Sequence, residues 1–301
     1  MTLISRLVFF DKKNTPKKSS GPIKTSEISI IIPVKDNQKG IDNYLDSIFT
    51  THKPHNFPKE IIIVDNNSVI PSKIAEKYYS SELPIKLLSC KRPGPASARN
   101  FGAKNATGQW LLFNDSDCIA TETLLTGYLS SDNGSLAYAG NIKALGTDHL
   151  SQYYESQEIL IPLKTYNDIH EFVPQYLITA NALVWKDTFF AIGGFNESIT
   201  IAGGEDVDFG LRLSQLGNLS YAFDSIAFHD FDGGLIEFYK RFVRYGKGNR
   251  IIENIWGTNM KPQPFKPNKR KVINGFIAHL QYLFLLIGYK SADRKIKKSS
   301  A

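Results

Sequence analysis

The sequence predicts an α/β protein: a mostly parallel sheet flanked by helices. Three observations carry that prediction. Short apolar runs alternate with stretches of helical periodicity, which is how stacked strand-helix units read. The runs are continuously apolar, as strands buried on both faces must be. Turn-forming residues and single acids follow the runs, placing polar groups where an open parallel sheet collects ligands.

The first run is ISIIIPV, residues 28–34. Ile41, Tyr44, Leu45, Ile48 and Phe49 then recur at helical spacing, and Pro54 and Pro58 mark a loop before the second run, EIIIVD, residues 60–65. A helix is expected over 71–79, then a strand IKLLSC over 85–90. RPGPASARNFGAKNATG, residues 92–108, opens with turn residues and continues as a small-residue helix able to lie close against a sheet. WLLF follows and runs into Asn114, Asp115, Ser116 and Asp117, which sets two carboxylates at a strand end. Asp65 ends an earlier strand, so two separate loops deliver acids to one edge. The later half is less regular: LAYAGN at 136–141, LITANALVW at 177–185, GGF at 193–195, and AGGEDVDFGLRLSQLG at 202–217, a helix whose first turn is acidic. No internal repeat is visible.

The chain has 301 residues, of which 42% are hydrophobic and 22% charged, enough for a sizeable core. Its net charge of +7 is unevenly placed: residues 1–27 and 261–301 together carry +13, which leaves 28–260 at −6. A folded body of that sign is not a nucleic-acid surface, so no nucleic-acid partner is expected. Cys90 and Cys118 are too few for a disulfide framework and have no zinc-site spacing. No signal peptide is read at the amino terminus, where Arg6 interrupts the apolar residues. The near-apolar run Phe276 to Tyr289 is shorter than the ~20 residues of a spanning helix.

SIIIPVKD, IIIVDNNS, GPASARNFGAKNATGQWLLFNDSD and GGFNESITIAGGEDVDFGLRL, in that order, resemble the family 2 glycosyltransferases of the GT-A type. The resemblance runs from about Ile28 to Gly248. It implies an inverting enzyme that moves a sugar from a nucleotide-sugar donor, UDP-linked by default, to a hydroxyl acceptor, a glycan or lipid-linked glycan of surface polysaccharide assembly. It also implies a Rossmann-like nucleotide-binding half, 28–118, and an acceptor half, 119–260.

A departing diphosphate needs its charge compensated, and Mn²⁺ or Mg²⁺ held by hard oxygen ligands supplies this. By resemblance Asp117 and Asp115 form the DxD metal motif, with Asp115 also near the ribose, and His229 matches a late histidine that completes the metal shell. Pro33, Lys35, Asp65 and Arg99 are the expected nucleotide contacts. Two departures leave the base open: the family often has Tyr-Asn at Lys35-Asp36 and Asp-Gly at Asn66-Asn67. Single displacement with inversion needs a general base, assigned to Asp206, with Glu205 orienting it or holding acceptor and Asp208 structural. Asn181, Trp185 and Gly194 fall where the family places acceptor contacts. Lys240, Arg241, Arg244 and Lys247 share a helix that either meets a phosphate or forms a solvated basic face.

The tail, 261–301, is read as an amphipathic helix with basic flanks: Lys269, Arg270 and Lys271 on one side, Lys290, Arg294, Lys295, Lys297 and Lys298 on the other. Such a helix suits peripheral contact with the inner face of the cytoplasmic membrane, or packing on protein. Removing 269–301 is expected to release the protein while sparing donor hydrolysis unless the tail belongs to the core. Two alternatives share part of this pattern. A haloacid-dehalogenase-type phosphohydrolase also places DxD after an apolar strand, but that strand should open the fold, and here more than eighty residues precede Asp115. A non-catalytic sugar-binding scaffold would not need complete metal and base motifs. Neither GxxxxGK[ST] nor GxGxxG is present.

Overall fold

The computed structural model describes residues 21–79, 81–167, 170–231 and 233–299. The chain runs β1 (Ile28–Val34), α1 (Gln38–Thr51), β2 (Glu60–Asp65), β3 (Ile85–Ser89), α2 (Pro95–Asn105), β4 (Trp110–Asn114), β5 (Cys118–Ala120), α3 (Thr123–Ser130), β6 (Ala137–Ala144), α4 (His149–Ser156), β7 (Lys164–Tyr166), β8 (Phe172–Pro174), β9 (Asn181–Trp185), α5 (Lys186–Ala191), α6 (Glu205–Leu213), β10 (Leu219–His229), α7 (Gly234–Trp256) and α8 (Val272–Ser299). Eight strands form one sheet in the order β3-β2-β1-β4-β9-β6-β10-β5. The pairs among β3, β2, β1 and β4 are parallel, as is β6 with β10. Antiparallel β9 is inserted between β4 and β6, so residues from both expected halves share one sheet.

β1, β2, β4 and β9 are buried as expected, whereas β3 at the sheet edge is only partly covered; β1 shows why both faces of an inner strand must be covered. Ile28, Ile30, Ile32 and Val34 enter one apolar layer with Tyr44, Leu45 and Ile48 of α1. Ile31 enters the opposite layer with Ala96, Ala98 and Ala103 of α2 and Phe189, Phe195 and Phe209. The small residues of α2 let that helix lie close to the strands.

Two expectations are corrected. Residues 71–79 are not an α-helix; only Glu76–Tyr78 makes a 3₁₀ turn. Side chains hold the preceding stretch extended: Ser72 N donates to Asp65 (2.7 Å) and Lys73 N donates to Gln38 (2.9 Å). The tail helix α8 is apolar around its circumference rather than amphipathic, and one face belongs to the main core. Ile277 and Ala278 are buried there, with Leu280, Phe284 and Leu285 packed against them. Gly246 of α7 and Gly288 of α8 sit at the crossing, where an added Cβ would lie 2.0 Å from the carbonyl oxygens of Leu285 and Val243 respectively. Residues 1–20 of the basic arm, and the side chains of Arg294, Lys295, Lys297 and Lys298, lie outside the described residues.

Removal of 269–301 is therefore expected to unfold the protein. Exposing that face forfeits on the order of 5 kcal/mol or more of burial, comparable to the whole stability of a domain. Soluble yield and the far-ultraviolet melting curve of the truncated chain check this; a soluble, cooperatively melting product would contradict it.

Candidate active site

Strand ends build the site. Asn114, fully buried at the end of β4, accepts from the Tyr44 hydroxyl (2.7 Å) and donates to Ala180 O (2.7 Å), which fixes where the next residues emerge. The Asp115-Ser116-Asp117 turn closes by Cys118 N donating to Asp115 O at 3.1 Å. Asn37 caps α1 at Gly40 N and donates to Ser116 Oγ at 3.2 Å, so the turn is also held from the side.

His229 reaches this turn because β10 pairs antiparallel with β5, setting His229 opposite Cys118. Its Nε2 lies 3.3 Å from Asp117 Oδ1, and ligand atoms of Asp115, Asp117 and His229 all fall within 4.8 Å of one another. The ring is buried, stacks on Phe231 and leaves Nδ1 without a hydrogen-bond partner among the described residues. Burial pushes its pKa down, against the pull of Asp117 and Asp115, which favours the neutral imidazole that binds metals. Two carboxylates and one imidazole are a donor set that Mn²⁺ accepts and Mg²⁺ tolerates.

Across the cleft, the acids at 205 and 206 open α6. Gly203 and Gly204 have φ of 152° and 105°, backbone that side chains disfavour, and a Cβ on Gly248 of α7 would meet Gly203 O at 2.3 Å. Bare backbone on both sides lets α6 start against α7. Glu205 is buried and accepts from Gly203 N (2.6 Å) and from Arg99 Nη1 (2.9 Å). Asp206 is half-buried and lines the cavity. Burial first, and the adjacent Glu205 carboxylate second, push its pKa up to about 7, with Arg99 opposing. Asp208 faces away, accepting from Arg212 Nε (2.9 Å) and Trp256 Nε1 (3.1 Å), the structural position expected for it.

Arg99 joins the two sides. Its Nη2 donates to Asp115 (2.8 Å) while Nη1 donates to Glu205, and its side chain is only 5% exposed. Burial disfavours its charge, yet Asp115, Glu205 and Asp206 more than restore it.

Pro33, Lys35, Asn66, Arg99, Asp115, Asp117, Glu205, Asp206 and His229 thus line one cavity of about 440 Å³, together with Arg241 and Arg244 of α7. Arg241 lies over the rings of Tyr154 and Phe231 (5.5 and 5.3 Å) and has no ion pair among the described residues. Arg244 Nε donates to Ala202 O. Lys240 instead forms an exposed pair with Glu237, so the basic helix divides between cleft and solvent.

Asp65 is not among the lining residues. Its oxygens accept from Ser68 N (2.9 Å) and Ser72 N (2.7 Å), so it shapes the loop behind the cavity. The family departures suit the backbone: Asp36 and Asn67 have φ of 53° and 61°, left-handed positions that short polar residues tolerate. The expected acceptor contacts are corrected by the pairing of β9. Asn181 sits opposite Asn114 inside the sheet, donating to Ser225 O (3.0 Å) and accepting from Tyr128 (2.7 Å). Trp185 pairs with Trp110 at the far end of the same strands. Gly194 packs on Asn100 and Phe189 behind the sheet. Thr179, Ile178 and Tyr245 line the cavity instead, and no motif announced them.

Known proteins resemble this chain in sequence and in fold. The glycosyl transferase family 2 model matches residues 29–168. The pre-mycofactocin glycosyltransferase of Mycobacterium tuberculosis is 26% identical over 251 residues, 77% of this chain and 48% of that protein. This chain therefore spans about half the length of that relative. Glycosyltransferase AglE of Haloferax volcanii is 28% identical over 233 residues, covering 73% of this chain and 72% of that one. Among solved structures, the mannosyltransferase PcManGT of Pyrobaculum calidifontis, in complex with GDP-Man and Mn²⁺, superposes with a TM-score of 0.57 at 16% identity, over 93% of this chain and 79% of the other. Staphylococcus aureus TarS 1-349 in complex with UDP gives 0.54 at 16% identity, over 91% and 92%. Residues 29–168 thus match the glycosyl transferase family 2 model, and the sheet topology and structural neighbours give the chain a GT-A fold.

Proposed function

We propose that the chain transfers a sugar from a nucleoside-diphosphate donor to a hydroxyl acceptor, with inversion at the anomeric carbon. The observation that carries this reading is the convergence of Asp115, Asp117 and His229 on one wall of a cavity whose opposite wall is Glu205 and Asp206. Pro33 and Lys35 form the nucleotide side of the cleft, with Asp65 holding the shape of that loop. Asp117, Asp115 and His229 would hold Mn²⁺ or Mg²⁺, which when bound stabilises the negative charge of the departing diphosphate. Arg241 and Arg244 face the same space and add fixed positive charge. In the reaction the bond between the anomeric carbon and the diphosphate oxygen breaks as the acceptor oxygen bonds to that carbon from the opposite face. Asp206 takes the acceptor's proton. Arg99 keeps Glu205 beside it, and Glu205 adds to the burial that raises the basicity of Asp206.

UDP and GDP donors are both compatible, since structural neighbours hold each. The acceptor is proposed to be a glycan or lipid-linked glycan, approached from the side of Thr179 and Tyr245, with the enzyme at the inner face of the cytoplasmic membrane. Residues 28–118 are assigned to the donor and 119–260 to the acceptor and base.

Asp117→Ala is expected to abolish the metal dependence of donor binding. Calorimetric titration of UDP-GlcNAc and GDP-mannose, in Mn²⁺ and in chelator, tests it. Wild-type affinity that is the same in both conditions would refute the metal assignment.

A further inference from the structure

An apolar stripe remains uncovered on α8. Val272, Ile273, Phe276, Leu283 and Ile287 are 96%, 44%, 59%, 37% and 47% exposed, and at 100° per residue they fall within one 100° sector. The opposite sector holds Ile277, Ala278 and Gln281, whose Oε1 accepts from Tyr153 (2.7 Å). A helix apolar all round is ordinarily buried all round; this one is buried on one side only.

The stripe continues onto α7. The two helices run in the same direction, since Tyr239 packs edge-on to Phe284, Val243 meets Gly288, and Arg250 reaches Tyr289. Tyr239 is 43% exposed, and Leu235 and Ile236, one turn earlier, are 59% and 69% exposed. Leu235, Ile236 and Tyr239 thus extend the apolar surface beside Phe284. The charge around it has one sign: residues 261–292 contain six Lys or Arg and no Asp or Glu. Lys269, Arg270 and Lys271, just before α8, and Lys290 near its end are all exposed.

We propose that this two-helix face docks on the surface of an anionic bilayer, with the apolar stripe among the acyl chains and the lysines and arginine at the headgroups. The segment Val272–Ala292 is long and apolar enough to cross a membrane, but its inner face is fastened to the core and Tyr289 is hydrogen-bonded to Arg250 and Glu253, so it lies along the surface. Arg241 of α7 lines the cleft, so the helix that carries part of the docking face also carries part of the active site. The inference deepens the lipid-linked acceptor reading by naming the face that brings enzyme to acceptor.

Vesicle flotation of the full chain tests it, with phosphatidylcholine vesicles and with vesicles containing phosphatidylglycerol. Wild type is expected to float with the anionic vesicles at least about 10-fold more strongly than with neutral ones. Ile236→Glu/Phe276→Glu and, independently, Lys269→Glu/Arg270→Glu/Lys271→Glu should abolish flotation while melting and UDP or GDP binding in Mn²⁺ stay unchanged. The charge-reversal triple lies before α8 and provides the answer if the apolar double variant fails to fold. Wild type that stays with the pellet fraction, or variants that float as it does, overturn the proposal. So does a wild-type dimer by light scattering that the apolar variant dissolves into monomers without lipid, which would assign the face to a second copy. Nucleotide binding is read separately: its absence in wild type would overturn the transferase reading and leave the flotation result standing.

Discussion

Asp206→Asn is expected to lower turnover by about 10²-fold or more while leaving donor affinity unchanged. The amide keeps the size of the carboxylate but cannot accept a proton from the acceptor. Loss confined to kcat marks an interaction made in the transition state alone. Because burial and Glu205 push the pKa of Asp206 up to about 7, the wild-type pH profile carries a second, independent readout. The base is protonated and idle below that value, so kcat/KM falls as pH drops through about 7 rather than through the ordinary carboxylate range near 4. The stability linkage has the opposite sense: a carboxyl group whose folded pKa is raised contributes most at low pH, and that contribution is lost as pH rises toward 7. Asp206→Asn should therefore melt no lower than wild type at pH 8 although it is nearly inactive. A limb centred near 4, or weakened donor binding at unchanged kcat, would remove Asp206 from the role of base.

Arg99→Met should destabilise the fold by about 3–5 kcal/mol, the usual result of removing one partner from a buried ion network. Methionine fills similar space, so the loss comes from Glu205 and Asp115, left as unpaired carboxylates facing each other across the position of the guanidinium. Arg99→Lys separates charge from geometry. An ammonium restores one positive charge but cannot present two parallel donors to two acids, so it should recover only part of the loss. The urea midpoint measures both variants. Mn²⁺ should raise the midpoint of Arg99→Met more than that of wild type, because a bound cation would shield Asp115 in place of the missing arginine. Equal midpoints for wild type and Arg99→Met would mean that the network holds nothing together.

Strand identity and the residues at parallel strand ends were legible in the sequence because burial on both faces leaves an unbroken apolar run, and such a run has an unmistakable end. Asp115 and Asp117 stand out at such an end, Asp206 and His229 through the family resemblance, and all four line one cavity. What was not legible depends on pairings between distant segments. Nothing in LITANALVW says that it runs antiparallel between β4 and β6, yet that pairing moves Asn181 into the sheet, carries Trp185 to its far end and brings Thr179 to the cleft. The resemblance points Arg99 to the nucleotide, and nothing local shows its two acids, which lie 16 and 106 residues away. In the tail, an apolar run between basic flanks suits an interface or packing on protein equally, and only packing against α7 distinguishes the buried apolar side from the uncovered one.

Gly203, Gly204 and Gly248 leave the start of α6 resting on α7 with main chain against main chain. A side chain at such a junction can swing aside and act as a cushion; peptide planes cannot. The spacing between the acid at 206 and the arginines on the neighbouring helix is accordingly rigid, and any tilt of α7 under load would be transmitted to the reacting groups undamped.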